Sequence, residues 1–298
     1  MGKAKKQHWV PKFYLREFAT EDSIHSKNPQ VWMFPRHEGD PKLVNVKDIA
    51  SKRYLYSPQD DDGNRCWQTE DKLARLESTI SQIWPALSSD FIDLNYEPIR
   101  KGLSLFVATL ILRHPNNIEE YKVFQDKLIK FFNDAPKDNF GRPNLESVEI
   151  KGVKYKLDNS DWEQYANPTD YTYRKLFVDQ IDSEAVGIAK ILMKKRWSIV
   201  FSEKPYFITS DNPVTMFNQD KNVYGLATEG TVVNFPISPT RVLIMDDRFN
   251  QPVSQYYPLS DIGAGPANIL TWTEAHKFMI TGRHPDEVCQ EMITFEST

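Results

Sequence analysis

Hydrophobic side chains recur at helical spacing through much of the chain. Between Leu73 and Ile83 they follow one another at intervals of three and four, which predicts an amphipathic helix over residues 70–83. Pro85 is placed to end that helix, because proline lacks the backbone N–H that a continuing helix needs. The same pattern predicts further helices at 11–18, 98–113, 117–133, 181–195 and 266–277.

Short runs of β-branched and aromatic residues, bounded by turn residues, predict strands. They lie at 31–34, 54–56, 197–202, 206–209, 232–237 and 241–245. Helices come mostly first and strands mostly later, and there is no regular βαβ repeat. The order predicts an α+β fold in which a helical N-terminal half packs on a β-rich, mainly antiparallel C-terminal half.

The pattern is interrupted once, over residues 135–172. This stretch is rich in Pro, Asn, Asp and Gly, which predicts a loop-rich insertion, with a hairpin at 147–157. The absence of internal repeats and of a linker elsewhere favours a single domain over residues 1–298. A chain of this length can bury a large core without disulfides or metal ions.

Composition narrows the class of protein. Hydrophobic residues make up 40% and charged residues 26%, which excludes a largely disordered chain, and the net charge of -4 disfavours a protein that coats nucleic acid over its whole surface. The only cysteines, Cys66 and Cys289, predict free thiols and a cytoplasmic location. No apolar window is long enough to span a membrane, and the sequence sets no oligomeric state.

The sharpest local motif is Ser210-Asp211-Asn212-Pro213, which follows a predicted strand. Asp and Asn bond to neighbouring backbone and start turns, so one interpretation is a structural corner. The other is a carboxylate presented at the end of a strand, where it could hold a metal ion or a substrate hydroxyl. Ser210 and Asn212 are then candidate substrate-binding residues.

Several side chains outside this motif are candidates for the same site. His8 could be a metal ligand, a general base or a hydrogen-bonded core residue. Glu77 shares a helix face with Glu70, where the two could bind a divalent cation or be solvated charges. Arg16 and Arg113 could each bind a phosphate or carboxylate, although Arg113 also suits the C-terminal end of a helix.

Two stretches carry a resemblance to a known family. Residues 7–18 read Gln-His-Trp-Val-Pro-Lys-Phe-Tyr-Leu-Arg-Glu-Phe, and residues 207–214 read Phe-Ile-Thr-Ser-Asp-Asn-Pro-Val. In this order and at this distance they resemble a widespread bacterial domain-of-unknown-function family, whose members begin with a Gln-His-Tyr-Val-Pro pattern. Trp9 departs from the usual Tyr of that family, and His114 stands where members often have Thr. The resemblance implies a bacterial cytosolic protein, and families of this kind often act in phage defence or toxin systems.

These observations favour metal-assisted hydrolysis of a phosphodiester, as in a nuclease. The predicted catalytic residues are His8, Asp211 and Arg113, and the predicted substrate-binding residues are Arg16, Ser210 and Asn212. Asp211, Glu77 and His8 are the predicted ligands of a divalent metal ion, Mg²⁺ or Mn²⁺, and nucleic acid or another phosphate-containing molecule is the predicted partner. The alternative is a non-catalytic binding protein whose motif residues are structural.

Nucleotide-binding and hydrolase signatures are missing from the sequence. It contains no Walker loop, no G-x-G-x-x-G, no H-E-x-x-H and no G-x-S-x-G. These absences disfavour ATP hydrolysis through a P-loop, Rossmann cofactor chemistry and the usual serine hydrolase mechanism. We expect the N-terminal motif to lie beside residues 207–214, since the two richest motifs should share one site.

Overall fold

The computed structural model describes residues 4–144, 147–150, 153–156, 162–219, 225–251, 255–260 and 263–296. The helices in this part of the chain are α1 (Lys12–Glu17), α2 (Gln68–Ser89), α3 (Glu97–Leu112), α4 (Asn116–Asn133), α5 (Trp162–Ala166), α6 (Asp170–Lys194), α7 (Gly265–Glu274) and α8 (Pro285–Glu296). The fold is α+β, with helices mostly in the N-terminal half and antiparallel-rich sheets in the C-terminal half, as predicted.

The strands form sheets that join distant parts of the chain. They are β1 (Lys6–His8), β2 (Gln30–Pro35), β3 (Lys42–Asn45), β4 (Ser51–Arg53), β5 (Ser147–Ile150), β6 (Val153–Lys156), β7 (Arg196–Phe201), β8 (Thr209–Ser210), β9 (Thr215–Phe217), β10 (Val232–Ser238), β11 (Arg241–Asp246), β12 (Tyr256–Pro258) and β13 (Phe278–Thr281). One sheet has the order β12-β7-β11-β10-β9, with β12 and β7 parallel and the other pairs antiparallel. A second has the order β3-β2-β13-β8, so strands from both ends of the chain share it.

An aromatic cluster joins the N-terminal helices to the larger sheet. The buried Trp84 ring lies 5.7 Å from Tyr14 and 5.6 Å from Phe106, and the Tyr14 ring stacks on Phe235 of β10 at 5.5 Å. Offset and edge-to-face aromatic pairs at these separations add stability beyond the apolar area that they bury. The cluster therefore fixes α1 against β10, beside the site described below.

Two local predictions at the N-terminal side were wrong. Helix α2 continues through Pro85 to Ser89, because Trp84 and Leu87 are both buried in the core and their burial outweighs the loss of one backbone hydrogen bond. Residues 54–56 are not a strand, since Tyr54 has a φ of 54°, which no strand residue adopts. The strand there is β4, which ends at Arg53.

The strand predicted at 206–209 was also wrong, because β8 is only Thr209–Ser210 and the backbone of Tyr206 and Ile208 bonds to the Asn268 side chain instead of to a neighbouring strand. Most other boundaries agree with the sequence pattern or extend it. Helix α6 begins at Asp170, before the predicted residue 181, and the side chain of Thr169 caps it. The predicted hairpin is confirmed by the antiparallel pairing of β5 with β6, although residues 145–146, 151–152 and 157–161 of the predicted insertion lie outside the described residues. Cys66 and Cys289 are free thiols, and no helix in the described ranges is long and apolar enough to cross a bilayer.

Candidate functional site

The N-terminal motif and the second motif are in direct contact, as expected. The Trp9 indole N–H donates to the backbone carbonyl of Asp211 at 3.1 Å. The Tyr14 hydroxyl lies 2.5 Å from the Thr209 hydroxyl and donates to the Pro236 carbonyl at 2.8 Å. Strand β1 pairs with β4, which positions Trp9 at the point where the chain enters α1.

Asp211 is fully buried and closes the loop that follows α7. Its Oδ1 accepts the backbone N–H of His276 and its Oδ2 accepts the backbone N–H of Lys277, both at 3.0 Å. Backbone donors buried away from water need such acceptors, because an unpaired buried N–H costs about 1–3 kcal/mol. The carboxylate is therefore the structural centre of this loop.

Ser210 and Asn212 bond to backbone on either side of Asp211. The Ser210 hydroxyl donates to the Asn212 carbonyl at 2.8 Å and accepts the Asn212 N–H at 3.1 Å. The Asn212 amide donates to the Glu274 carbonyl at 2.9 Å, at the end of α7. These hydrogen bonds are the ones that a structural corner requires. The predicted role of Ser210 and Asn212 in substrate binding stays a prediction.

Arg113 ties the N-terminal segment to α2 and α3. Its Nε donates to the Trp9 carbonyl and its Nη1 donates to Glu77 Oε1, both at 2.7 Å. The Arg113 side chain is 1% exposed and that of Glu77 is 28% exposed, so this ion pair lies at the edge of the core. The Arg113 Nη2 is buried and has no hydrogen-bond partner among the described residues.

His114, the next residue, faces Asp211. The backbone N–H of Asn116 donates to His114 Nδ1 at 3.0 Å, so Nδ1 is the acceptor and the proton of the neutral ring is on Nε2. That Nε2 lies 3.5 Å from Asp211 Oδ2, too far for a good hydrogen bond, and it is buried without another partner in the part of the chain that the structure describes. The Trp9 ring packs edge-on against the His114 ring at 5.6 Å.

His276 completes this cluster and was not predicted from the sequence. Its partly exposed ring stacks on the His114 ring at 4.2 Å. Burial lowers the pKa of His276, and nearby His114 acts in the same direction, whereas Asp211 opposes both. No sequence signal marks His276, because no motif surrounds it and its partners lie far away in the chain. We refer to Arg113, His114, Asp211 and His276 as the polar centre.

His8 lies next to the polar centre but contacts a different group. Its Nε2 donates to the Lys47 carbonyl at 3.2 Å, which leaves Nδ1 as the acceptor nitrogen. Burial, followed by the positive charge of Lys12, lowers the pKa of His8 to about 4. Arg16 bonds instead to backbone, through Nε to the Ile24 carbonyl at 3.0 Å and through Nη2 to the Ser26 carbonyl at 3.3 Å.

The three predicted metal ligands make three different sets of contacts. Asp211 accepts backbone N–H groups, Glu77 pairs with Arg113, and His8 donates to Lys47. Among the described residues, no group of three or more His, Cys, Asp or Glu side chains is arranged to hold a metal ion. A metal ion bound by Asp211, Glu77 and His8 stays a prediction.

These contacts define an α+β protein whose N-terminal segment encloses a buried Asp-His centre. Its chain belongs to the family described as "Protein of unknown function (DUF4238)", which matches residues 6–284 and so includes every residue of the polar centre. Membership of a domain-of-unknown-function family was the expectation from the sequence motifs. No curated protein and no solved structure matches the chain.

Proposed function

We propose that this protein hydrolyses a phosphodiester bond, with nucleic acid as the substrate class and the polar centre as the reaction site. The observation that carries the proposal is the stacking of the partly exposed His276 on the buried His114, which faces Asp211. Within the described part of the chain, neither ring nitrogen of His276 forms a hydrogen bond. The imidazole is thus free to exchange a proton with a bound molecule.

His276 has the properties of a general base. Its pKa lies below the ordinary histidine value, so the ring is mostly unprotonated at pH 7. In the proposed reaction His276 takes a proton from water, the water oxygen forms a bond to phosphorus, and the bond from phosphorus to the leaving oxygen breaks. Solvent protonates the leaving oxygen. Asp211 stabilises the positive charge that develops on the stacked imidazoles.

A cation beside His276 supports the choice of a phosphate substrate. Arg36 is close enough to lower the pKa of His276, and its guanidinium donates to the carbonyl of Ala275, the residue before His276. A guanidinium can bind two phosphate oxygens at once through its planar fork. Arg36 is therefore better placed than the enclosed Arg113 to bind the substrate, and we assign Arg113 an anchoring role.

The proposal includes a metal-assisted form with Mg²⁺ or Mn²⁺. Each Asp211 oxygen accepts one backbone N–H and keeps a further lone pair for coordination. Hydrolysis that EDTA abolishes and Mg²⁺ or Mn²⁺ restores would establish the metal-assisted form. Hydrolysis that persists in EDTA would assign the reaction to His276 without a metal ion.

The second candidate function is a non-catalytic binding protein. The observation in its favour is that the polar groups of Ser210, Asp211 and Asn212 all bond to backbone, which is what a structural corner requires. In that case the polar centre holds the two motifs together, and a surface elsewhere binds the partner. A role in phage defence or in a toxin system is compatible with either function.

An assay of single- and double-stranded DNA and RNA, with Mg²⁺, Mn²⁺ or EDTA, tests the proposal. The variant His276→Gln should lose about 10²–10⁴-fold in rate, the usual contribution of a general base. His25→Gln, at an exposed histidine, is the matched control and should keep the wild-type rate. No hydrolysis by the wild-type protein on any substrate would favour the binding protein, and equal rates for wild type and His276→Gln would remove His276 from the mechanism.

A further inference from the structure

A cleft of about 520 Å³ opens beside α1, on the side of His8 that faces Lys47. Its walls come from α1, from the segment around Pro29, from the turn at residues 45–47 and from the end of α2. We refer to it as the basic cleft. It is distinct from the polar centre, because no residue of the centre lines it.

The lining of the basic cleft is strongly positive. Four cations, Lys12, Arg16, Lys27 and Lys47, face a single carboxylate, Glu17. All four cations are exposed, although the whole chain has a net charge of -4. Cations concentrated in a concavity focus the electrostatic potential and attract anions. The net charge of the cleft lining is therefore positive, whereas that of the whole chain is negative.

Two of the cations are tied to the walls of the cleft. Arg16 bonds to the carbonyls of Ile24 and Ser26, and Lys47 donates to the Asn28 side chain at 2.9 Å. These contacts connect α1, the following loop and the turn at 45–47, so the cations are held in place before a ligand arrives. Preorganisation of this kind reduces the entropy that binding costs.

The other two cations are uncommitted. Lys12 and Lys27 form no ion pair or side-chain hydrogen bond within the described ranges of the chain. Exposed ammonium groups without a partner can exchange water for an anion at little cost, whereas a paired group must first give up its partner. Lys12 also lies close enough to His8 for its positive charge to lower the pKa of that ring.

We propose that the basic cleft binds a run of phosphate groups, as in a polyphosphate chain or a single strand of nucleic acid. Four cations exceed what one carboxylate or one phosphate needs, and the volume leaves room for several linked groups. The partly exposed Phe13 in the wall offers a ring on which a base could stack. This site does not depend on the proposed hydrolysis, since binding requires no catalytic group.

Binding of tripolyphosphate and of an eight-residue oligothymidylate, measured calorimetrically in EDTA at several salt concentrations, tests the inference. The double variant Lys12→Gln/Lys27→Gln should weaken binding roughly five-fold for each lysine, the strength of one exposed charge pair. For the oligonucleotide, the plot of log K against log salt concentration should become less steep by about 1.4, because each lost phosphate contact reduces the magnitude of the slope by about 0.7. Binding of both probes indicates a phosphate site, and binding of the oligonucleotide alone indicates a nucleic-acid strand.

The matched control is Lys127→Gln/Lys190→Gln, which removes two exposed lysines of α4 and α6. It should bind as the wild type does, and His276→Gln should also keep binding whether or not it loses hydrolysis. Absence of binding to both probes would overturn the inference. Equal weakening by the two lysine pairs would also overturn it, since that outcome reports net charge and not the cleft.

Discussion

In the polar centre, Arg113, His114 and Asp211 are buried and each forms at least one hydrogen bond with backbone, whereas His276 is partly exposed. In the basic cleft, four cations are exposed, and two of them form no ion pair or side-chain hydrogen bond with any residue that the structure describes. Two adjacent residues contact the two regions: Trp9 contacts Asp211 in the centre, whereas the preceding His8 contacts Lys47 of the cleft.

This difference separates the buried Arg113, His114 and Asp211, which hold the fold, from exposed cations that are free to bind. A buried charge is tolerated only when it is paired and hydrogen-bonded. Its removal leaves its partners buried and unpaired, and this lowers the free energy of unfolding. An exposed lysine carries almost no such cost. Substitutions of the buried groups of the centre should therefore reduce stability, and substitutions of Lys12 and Lys27 in the cleft should reduce binding alone.

Asp211→Ala should cause the largest loss of stability. It leaves the backbone N–H groups of His276 and Lys277 without acceptors, and we expect the free energy of unfolding to fall by about 3–5 kcal/mol. Urea denaturation measures the change. Asp211→Asn keeps one carbonyl acceptor and should lose less, and Asp22→Ala, at an exposed position, should change stability by less than about 0.5 kcal/mol. A small effect of Asp211→Ala would contradict the structural role of the carboxylate.

The Arg113–Glu77 pair should show the next largest effect. Arg113→Met leaves the Trp9 carbonyl unpaired and Glu77→Ala leaves a buried cation without its partner, so each should cost about 2–3 kcal/mol. The double variant should be less destabilised than the sum of the two, by about 1–3 kcal/mol, because the second change removes a group that is already unpaired. Strict additivity in urea denaturation would mean that the two side chains do not interact.

The pKa of His8 predicts a smaller, pH-dependent effect. Because burial and Lys12 lower this pKa to about 4, the neutral ring contributes stability that is present above pH 6.5, the ordinary histidine value, and is lost as the pH falls towards 4. The contribution is roughly 1 kcal/mol after allowance for solvent screening of the partly exposed ring. Denaturation at pH 7, 5.5 and 4.5 should show a shallower decline for His8→Gln than for the wild type. Parallel curves would mean that His8 titrates normally.

The cleft lysines should have the smallest effect on stability. Lys12 and Lys27 are exposed and pair with no residue in the described ranges, so Lys12→Gln and Lys27→Gln should each change the free energy of unfolding by less than about 0.5 kcal/mol. Thermal melting of the double variant beside the wild type measures this. A large loss of stability would show that these lysines support the fold, and the contrast between cleft and centre would fail.

Local pattern was sufficient for most of the secondary structure. The spacing of Leu73 and Ile83 identified α2, and the apolar run at 98–113 identified α3 nearly to the residue. Such patterns are reliable because a helix that packs on a core must be apolar along one face whatever its partner is. The pattern was insufficient at Pro85 and Tyr54, where burial of neighbouring residues and a left-handed turn determined the backbone.

The candidate site was only partly predictable. Asp211 was identified as a candidate because a polar motif after a strand is visible in the sequence. Contact between residues 7–18 and 207–214 was expected only because these two stretches hold the most candidate site residues. His276 was missed, because its link to Asp211 spans 65 positions and no local pattern reports it. The role of Arg113 as an anchor was also undecided, since its partners Trp9 and Glu77 are 104 and 36 positions away.

The sequence by itself determined the α+β class, the positions of the main helices and the family, because periodicity and short motifs are local properties of the chain. The tertiary structure alone decided that His114 and His276 stack beside Asp211, and that Lys12, Lys27 and Lys47 share one cleft. Both arrangements depend on which distant strands pair and which helices pack together. Strand pairing and helix packing are determined by the free energy of the whole chain, so they cannot be predicted from any one segment.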